Sequence, residues 1–146
     1  MAKLEHIGIA VNSLKDAMTL YENILCSDCY KVEVVESEKV TTAFIKAGDT
    51  KIELLESATP DGVIAQFIKK RGEGLHHIAF EVPDILVEME RLKKEGFELL
   101  NEKPKPGADN KLICFLNPKN THSILIELCQ ENREGVKRIP RKKGTS

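Results

Sequence analysis

LEHIGIAVNSLKDAMTLY, residues 4–21, is answered further along the chain by LHHIAFEVPDILVEMERL, residues 75–92. His6 falls on His77, Ile7 on Ile78, Val11 on Val82 and Leu14 on Ile85. Each stretch reads as a strand, Leu4–Val11 or Leu75–Val82, that breaks at a polar helix start, Asn12–Ser13 or Pro83–Asp84. Asp84 can cap its helix by accepting an orphan backbone amide. Leu14, Ala17, Met18 and Tyr21 recur at i, i+3, i+4 and i+7. Ile85, Met89 and Leu92 follow a similar course, so one face of each helix seeks a core. Gly96 suits the C′ position that ends the second helix.

Three extended segments follow each helix. In the first half they are Tyr30–Val35, Val40–Lys46 and Thr50–Leu55, with Ala47-Gly48-Asp49 as a hairpin turn. In the second they are Phe97–Asn101, Lys111–Leu116 and Ser123–Cys129, with NPKNT (117–121) as the matching turn. The chain thus says β-α-β-β-β twice, in modules 4–56 and 75–130 of a single domain, 1–130. The connector 57–74 carries a short helical pattern through Val63, Ile64, Phe67 and Ile68, a linker or a lid. The tail 131–146 has six basic and two acidic residues and little periodicity, and is expected to be loose.

Composition narrows the function. With 22 basic and 23 acidic residues, nothing points to nucleic acid. No segment approaches the roughly 20 apolar residues of a membrane span. The first residues, MAKLEHIGIAV, contain no signal-peptide pattern, so a cytoplasmic protein is expected. Cys26 and Cys29 form a C-x-x-C that could serve redox or metal chemistry. No second such pair completes a zinc knuckle, and the plainer reading is small residues in a reducing compartment.

Two further residues repeat with the strands. KIELLE places Glu53, and ILIELC places Glu127, between apolar neighbours that want burial. A buried carboxylate needs a cation, a proton or solvent. If the halves associate about a pseudo-twofold axis, His6, Glu53, His77 and Glu127 converge. Two imidazoles and two carboxylates suit a divalent ion of borderline softness. The plain alternative is satisfied strand histidines and water-facing glutamates. Strand alternation puts His77 inside with His6 and sends His76, like Glu5, to the other face.

HIGIAV (6–11), GDTKIELLE (48–56), FIKKRGEGLHHIAFEV (67–82), PKPG (104–107) and FLNPKNTHSILIEL (115–128) resemble the vicinal-oxygen-chelate superfamily. That group includes glyoxalase I, extradiol dioxygenases and bleomycin-resistance proteins; within it the nearest resemblance is to the methylmalonyl-CoA epimerases. The resemblance implies an α+β fold, with two β-α-β-β-β modules forming a cupped, mixed or antiparallel sheet around one divalent metal (Co, Zn, Ni or Mn). It implies metal ligands at His6, Glu53, His77 and Glu127, a homodimer, and an acyl-CoA substrate. The implied reaction is epimerisation of methylmalonyl-CoA, or a similar branched thioester, through a metal-stabilised enolate. Glu127 is one implied base. The second belongs in ESEKV, where ungapped counting gives Ser37 and a bulge or altered turn gives Glu38, or Glu36 as the fallback. A glyoxalase I-like isomerase or lyase, and a non-catalytic binding or resistance protein, are the alternatives. Cys26, Asp109-Asn110, Asn117 and Ser123 depart from the family pattern.

Overall fold

The computed structural model describes residues 1–133; the remainder of the basic tail lies outside the described residues. The elements run β1 (Lys3–Ala10), α1 (Leu14–Leu25), β2 (Cys29–Val35), β3 (Val40–Ala47), β4 (Thr50–Ser57) and α2 (Val63–Arg71). They continue with β5 (Gly74–Glu81), α3 (Ile85–Lys94), β6 (Lys105–Pro106), β7 (Lys111–Leu116) and β8 (Ile126–Glu131). The strands form one eight-stranded sheet in the order β2-β3-β4-β1-β5-β8-β7-β6. β1/β4 and β5/β8 pair in parallel, while β1/β5 and the outer pairs are antiparallel. This mixed sheet curls into a half-barrel, the α+β fold that the family resemblance implied.

Local chemistry sets the helix ends. Ser13 Oγ accepts from Asp16 N, and Asp84 Oδ1 accepts from Leu86 N and Val87 N. α3 closes at Gly96, whose φ of 96° favours glycine. The apolar stripes then dock on the outer side of the sheet. Leu14 and Ala17 pack with Val11, Ala43, Ile45 and Leu54. Ile85, Met89 and Leu92 pack with Val82, Cys114, Leu116 and Leu128. Because strand side chains alternate, the residues between these, Thr42, Phe44, Glu53, Ile113, Phe115 and Glu127, face the inside of the cup. α2 lies against its end through Ile64, which packs with Ala10, Val40 and Leu55.

Three stretches differ from the expectation. Phe97–Asn101 is not a strand. One bridge, Leu99 to Leu116, remains, and the Asn101 side chain accepts Phe115 N at 3.0 Å in place of a ladder bond. Pro104 and Pro106 lack the amide protons a longer edge strand needs, so β6 has two residues. β8 starts at Ile126, not Ser123, because His122 (φ 54°) and Ser123 (φ 69°) turn the chain through left-handed conformations. Glu36–Glu38 is a 3-10 turn closed by Lys39 at φ 53°. Among the described residues, no helix is long and apolar enough to cross a membrane.

Candidate metal centre and active site

The register of the four central strands assembles the expected side chains. Gly8 of β1 lies between Glu53 of β4 and His77 of β5. Ala79 of β5 lies between Glu127 of β8 and His6 of β1. Two small residues thus form a floor, with a histidine and a glutamate flanking each. His6 Nε2 is 3.0 Å from His77 Nε2, 3.3 Å from Glu53 Oε1 and 3.5 Å from Glu127 Oε2. His77 Nε2 is 3.2 Å from Glu53 Oε1 and 3.6 Å from Glu127 Oε1. All four are buried. Phe44 stands opposite Glu53 and meets His6 edge-on; Phe115 stands opposite Glu127 and meets His77 edge-on.

Strand alternation fails at two places between β1 and β5, and both matter. β1 pairs with β5 through Leu4–Phe80 and then His6–Ala79, so Glu5 is an extra residue on β1. Further along, Gly8–His77 is followed by Ile9–Leu75, so His76 is an extra residue on β5. These bulges turn both side chains back toward the ligands. Glu5 Oε1 lies 3.1 Å from His6 Nδ1, and His76 Nδ1 lies 2.9 Å from His77 Nδ1. His76 is therefore not on the outer face, as alternation suggested; it packs edge-on against Phe67 and lines the cavity described below. A neutral His6 or His77 that donates through Nδ1–H, to Glu5 or to His76, offers its Nε2 lone pair toward the centre.

The electrostatics of the cluster call for positive charge. Burial opposes a charge on His6, but hydrogen bonds to Glu5 and Glu53 and the charge of Glu127 outweigh it and push the imidazole up to about 10. Burial likewise opposes ionisation of Glu53, yet hydrogen bonds from His6 and His77 pull it down to about 2. At Glu127 burial prevails over the two imidazoles and raises the carboxyl above its ordinary value. Burial and the neighbouring His77 hold His76 down to about 4, neutral at physiological pH. The spacing fits a single ion as well. Bonds of about 2.1 Å set neighbouring donors roughly 3.0–3.4 Å apart in right-angled to tetrahedral geometry. The donor atoms of His6, His77 and Glu127 can converge on one ion. Glu53 is not part of that converging set, though its Oε1 lies beside both histidines.

A cavity of about 340 Å³ opens over this cluster, within the range of small-molecule sites. Glu53, His77 and Glu127 form part of its wall, with Leu55, Ile64 and Ile113 among its apolar residues. Glu38 also lines it, whereas Glu36 and Ser37 do not. The 3-10 turn carries Glu38 inward, and Lys105 Nζ holds its Oε1 at 2.5 Å. An adjoining cavity of about 290 Å³ shares His76, His77, Leu100 and Leu125 and extends to Phe67 and Arg71. The sequence reading missed Glu5, His76 and Lys105 as site residues. The one available signal was that Glu5 and His76 are themselves equivalent in the repeat.

A family model described as Glyoxalase/Bleomycin resistance protein/Dioxygenase superfamily matches residues 5–115. The chain is 42% identical over 130 residues to the uncharacterized protein YqjC of Bacillus subtilis, covering 89% of this chain and 93% of that one. It is 39% identical over 132 residues to the ethylmalonyl-CoA/methylmalonyl-CoA epimerase of Cereibacter sphaeroides, covering 89% and 98%. A solved structure of a Streptomyces coelicolor methylmalonyl-CoA epimerase variant in complex with 2-nitronate-propionyl-CoA superposes with a TM-score of 0.85. Its sequence identity is 30%, and 90% of this chain and 98% of that one are covered.

Proposed function

The chain belongs to the Glyoxalase/Bleomycin resistance protein/Dioxygenase superfamily, and on that footing we propose that it epimerises methylmalonyl-CoA or a similar 2-methyl-branched acyl thioester. His6, Glu53, His77 and Glu127 hold one divalent ion, with cobalt, zinc, nickel or manganese suited to such nitrogen and oxygen donors. A dication held there supplies charge that steadies the negative oxygen developing on the thioester as its α-proton leaves. The α-proton passes to the Glu127 carboxylate. Glu38 delivers a proton to the opposite face, and the roles reverse for the other epimer. The apolar wall excludes water from the reacting carbon. The coenzyme arm leaves through the adjoining cavity toward Arg71.

One observation carries this reading. Two carboxylates from different modules, Glu38 and Glu127, line one cavity above the histidine–glutamate cluster. Both modules contribute to that site, so we treat residues 1–130 as one functional unit. We also propose a homodimer, in keeping with the family resemblance; the edge strand β2 leaves Val32 and Val34 exposed for such a contact. Sedimentation of the wild type against Val34→Lys tests it. Four free cysteines, Cys26, Cys29, Cys114 and Cys129, support a cytoplasmic setting.

The reaction is tested by incubating one epimer with Co(II)-loaded protein in deuterium oxide and following α-deuteration and configuration together. Deuteration with inversion is expected. No exchange from loaded protein overturns the reading. A hemithioacetal isomerisation assay run alongside then decides on the glyoxalase-like alternative, which a carboxylate at Glu53 also suits.

A further inference from the structure

The Glu5 carboxylate does more than accept from His6. Its second oxygen, Oε2, lies 3.0 Å from Lys51 Nζ, and Lys51 Nζ in turn lies 3.1 Å from Asp109 Oδ2. Glu5 is buried, and the Lys51 and Asp109 side chains are less than one-fifth exposed. Asp109 belongs to the turn between β6 and β7, held in a left-handed conformation at φ 57°. It is fastened to β2 at the far end of the sheet order. Tyr30 Oη donates to Asp109 Oδ2 at 3.2 Å, Lys31 Nζ to Oδ1 at 3.3 Å, and Asp109 N donates to Glu33 Oε1 at 3.0 Å. The two ends of an open eight-stranded sheet are thereby clasped together.

We propose that Lys51 and Asp109 are positioning residues that fix the orientation of His6, and with it the direction in which its Nε2 points, through Glu5. This rests on the metal reading above. The reasoning is steric and electrostatic. His6 can turn about its side-chain bonds unless its Nδ1–H has a fixed acceptor. Glu5 is a fixed acceptor only while its other oxygen is anchored. A buried carboxylate whose cation is removed loses its anchor and moves toward water. Lys51 is the cation, and Asp109 holds the flexible lysine stem in place from the clasp. Lys31 gives a contrast: it fastens Asp109 to β2 and pairs with Glu33, one step further from His6 than Lys51.

Co(II) titration of the full chain, followed by visible absorption with far-UV circular dichroism as the check on folding, tests the relay. Lys51→Met is expected to weaken Co(II) binding by about tenfold, the low end of what losing an outer-sphere partner of a ligand costs, and to alter the Co(II) spectrum. Asp109→Asn should shift both in the same direction by less. Lys51→Arg should restore most of the affinity, and Lys31→Met should leave it within about twofold. Unchanged binding by folded Lys51→Met overturns the relay while leaving the metal site standing. An equal loss in Lys31→Met also overturns it, because general loosening of the clasp then suffices. Failure of the wild type to bind Co(II) overturns the metal reading and the relay together.

Discussion

Replacing Gly8 with alanine should destroy the metal centre while sparing the fold. A Cβ built on Gly8 lies 2.2 Å from His77 Cε1, 2.3 Å from Nδ1 and 2.8 Å from Nε2. Carbon contacts become comfortable at about 3.5 Å, so the imidazole must retreat by more than about 1 Å. A metal–nitrogen bond tolerates an error of about 0.2 Å. His77 therefore cannot remain a ligand, and its 2.9 Å contact with His76 breaks as well. Gly8 is an ordinary strand residue, absent from the positive-φ positions, so alanine suits its backbone. Overpacking should cost about 1–3 kcal/mol in metal-free protein. Losing a ligand should exceed the upper end of outer-sphere effects, so Co(II) affinity should fall by more than about a hundredfold. Ala79→Gly, at the mirror position, should leave it nearly unchanged. Co(II) titration gives the affinities, and thermal unfolding in chelator gives the stabilities. If folded Gly8→Ala binds Co(II) as tightly as the wild type, His77 is not a ligand and the reasoning fails.

Glu127→Gln should abolish α-proton exchange from either epimer, since it removes the base for one epimer and, as a proposed metal ligand, the charge that steadies the enolate of both. Glu38→Gln should retain exchange of one epimer but lower inversion by about 10²–10⁴-fold; equal loss of both activities, read by NMR, would refute the division of roles. Free Co(II) at a hundred times its Kd should stabilise the protein by about 2.7 kcal/mol, reversed by chelator; a calorimetric midpoint indifferent to Co(II) contradicts this. Burial and then the Asp109 charge push the Tyr30 phenol up to about 12. Because that lies above the unfolded value of about 10, the folded state keeps the proton longer, and stability should fall as pH rises from about 10 to about 12. Asp109→Asn should bring this ionisation down; with two tyrosines in the chain, an alkaline absorbance titration resolves it, and an unmoved upper transition counts against the Asp109 contact.

The duplication made the clustering of four side chains legible. His6 and His77, or Glu53 and Glu127, recur at matched places in strands whose apolar alternation fixes a face, and alternation holds wherever the pairing is regular. It breaks where the backbone inserts a residue. Glu5, His76 and Tyr30 are each the extra residue of an irregular strand pair. A bulge without glycine leaves no mark in composition. The same blindness separated Ser37 from Glu38. The 3-10 turn ends on Lys39 in a left-handed conformation, which a lysine does not advertise. Phe97–Asn101 read as a strand from its apolar residues. The prolines after it and the Asn101 side chain, which takes the place of a ladder partner, decide otherwise.

The two halves are alike in geometry and unlike in charge, and the difference has a physical sense. Each bulge aims a side chain at a ligand Nδ1. In the first module that side chain is an ionised carboxylate, walled off from the cavity and compensated by Lys51. In the second it is a neutral imidazole that stands in the wall of both cavities. A carboxylate in the second place would add a negative charge facing the substrate. A malonyl thioester carries a free carboxylate of its own, and like charges in a dry cavity repel strongly. Histidine keeps the outer-sphere hydrogen bond without that repulsion. The first module can use the stronger, charged acceptor because its far side faces the clasp. Symmetry brings the four side chains together, and its breaking at Glu5 and His76 sets the two halves apart: one ties His6 to the closed sheet through Glu5 and Lys51, and the other leaves a neutral wall on the cavity side.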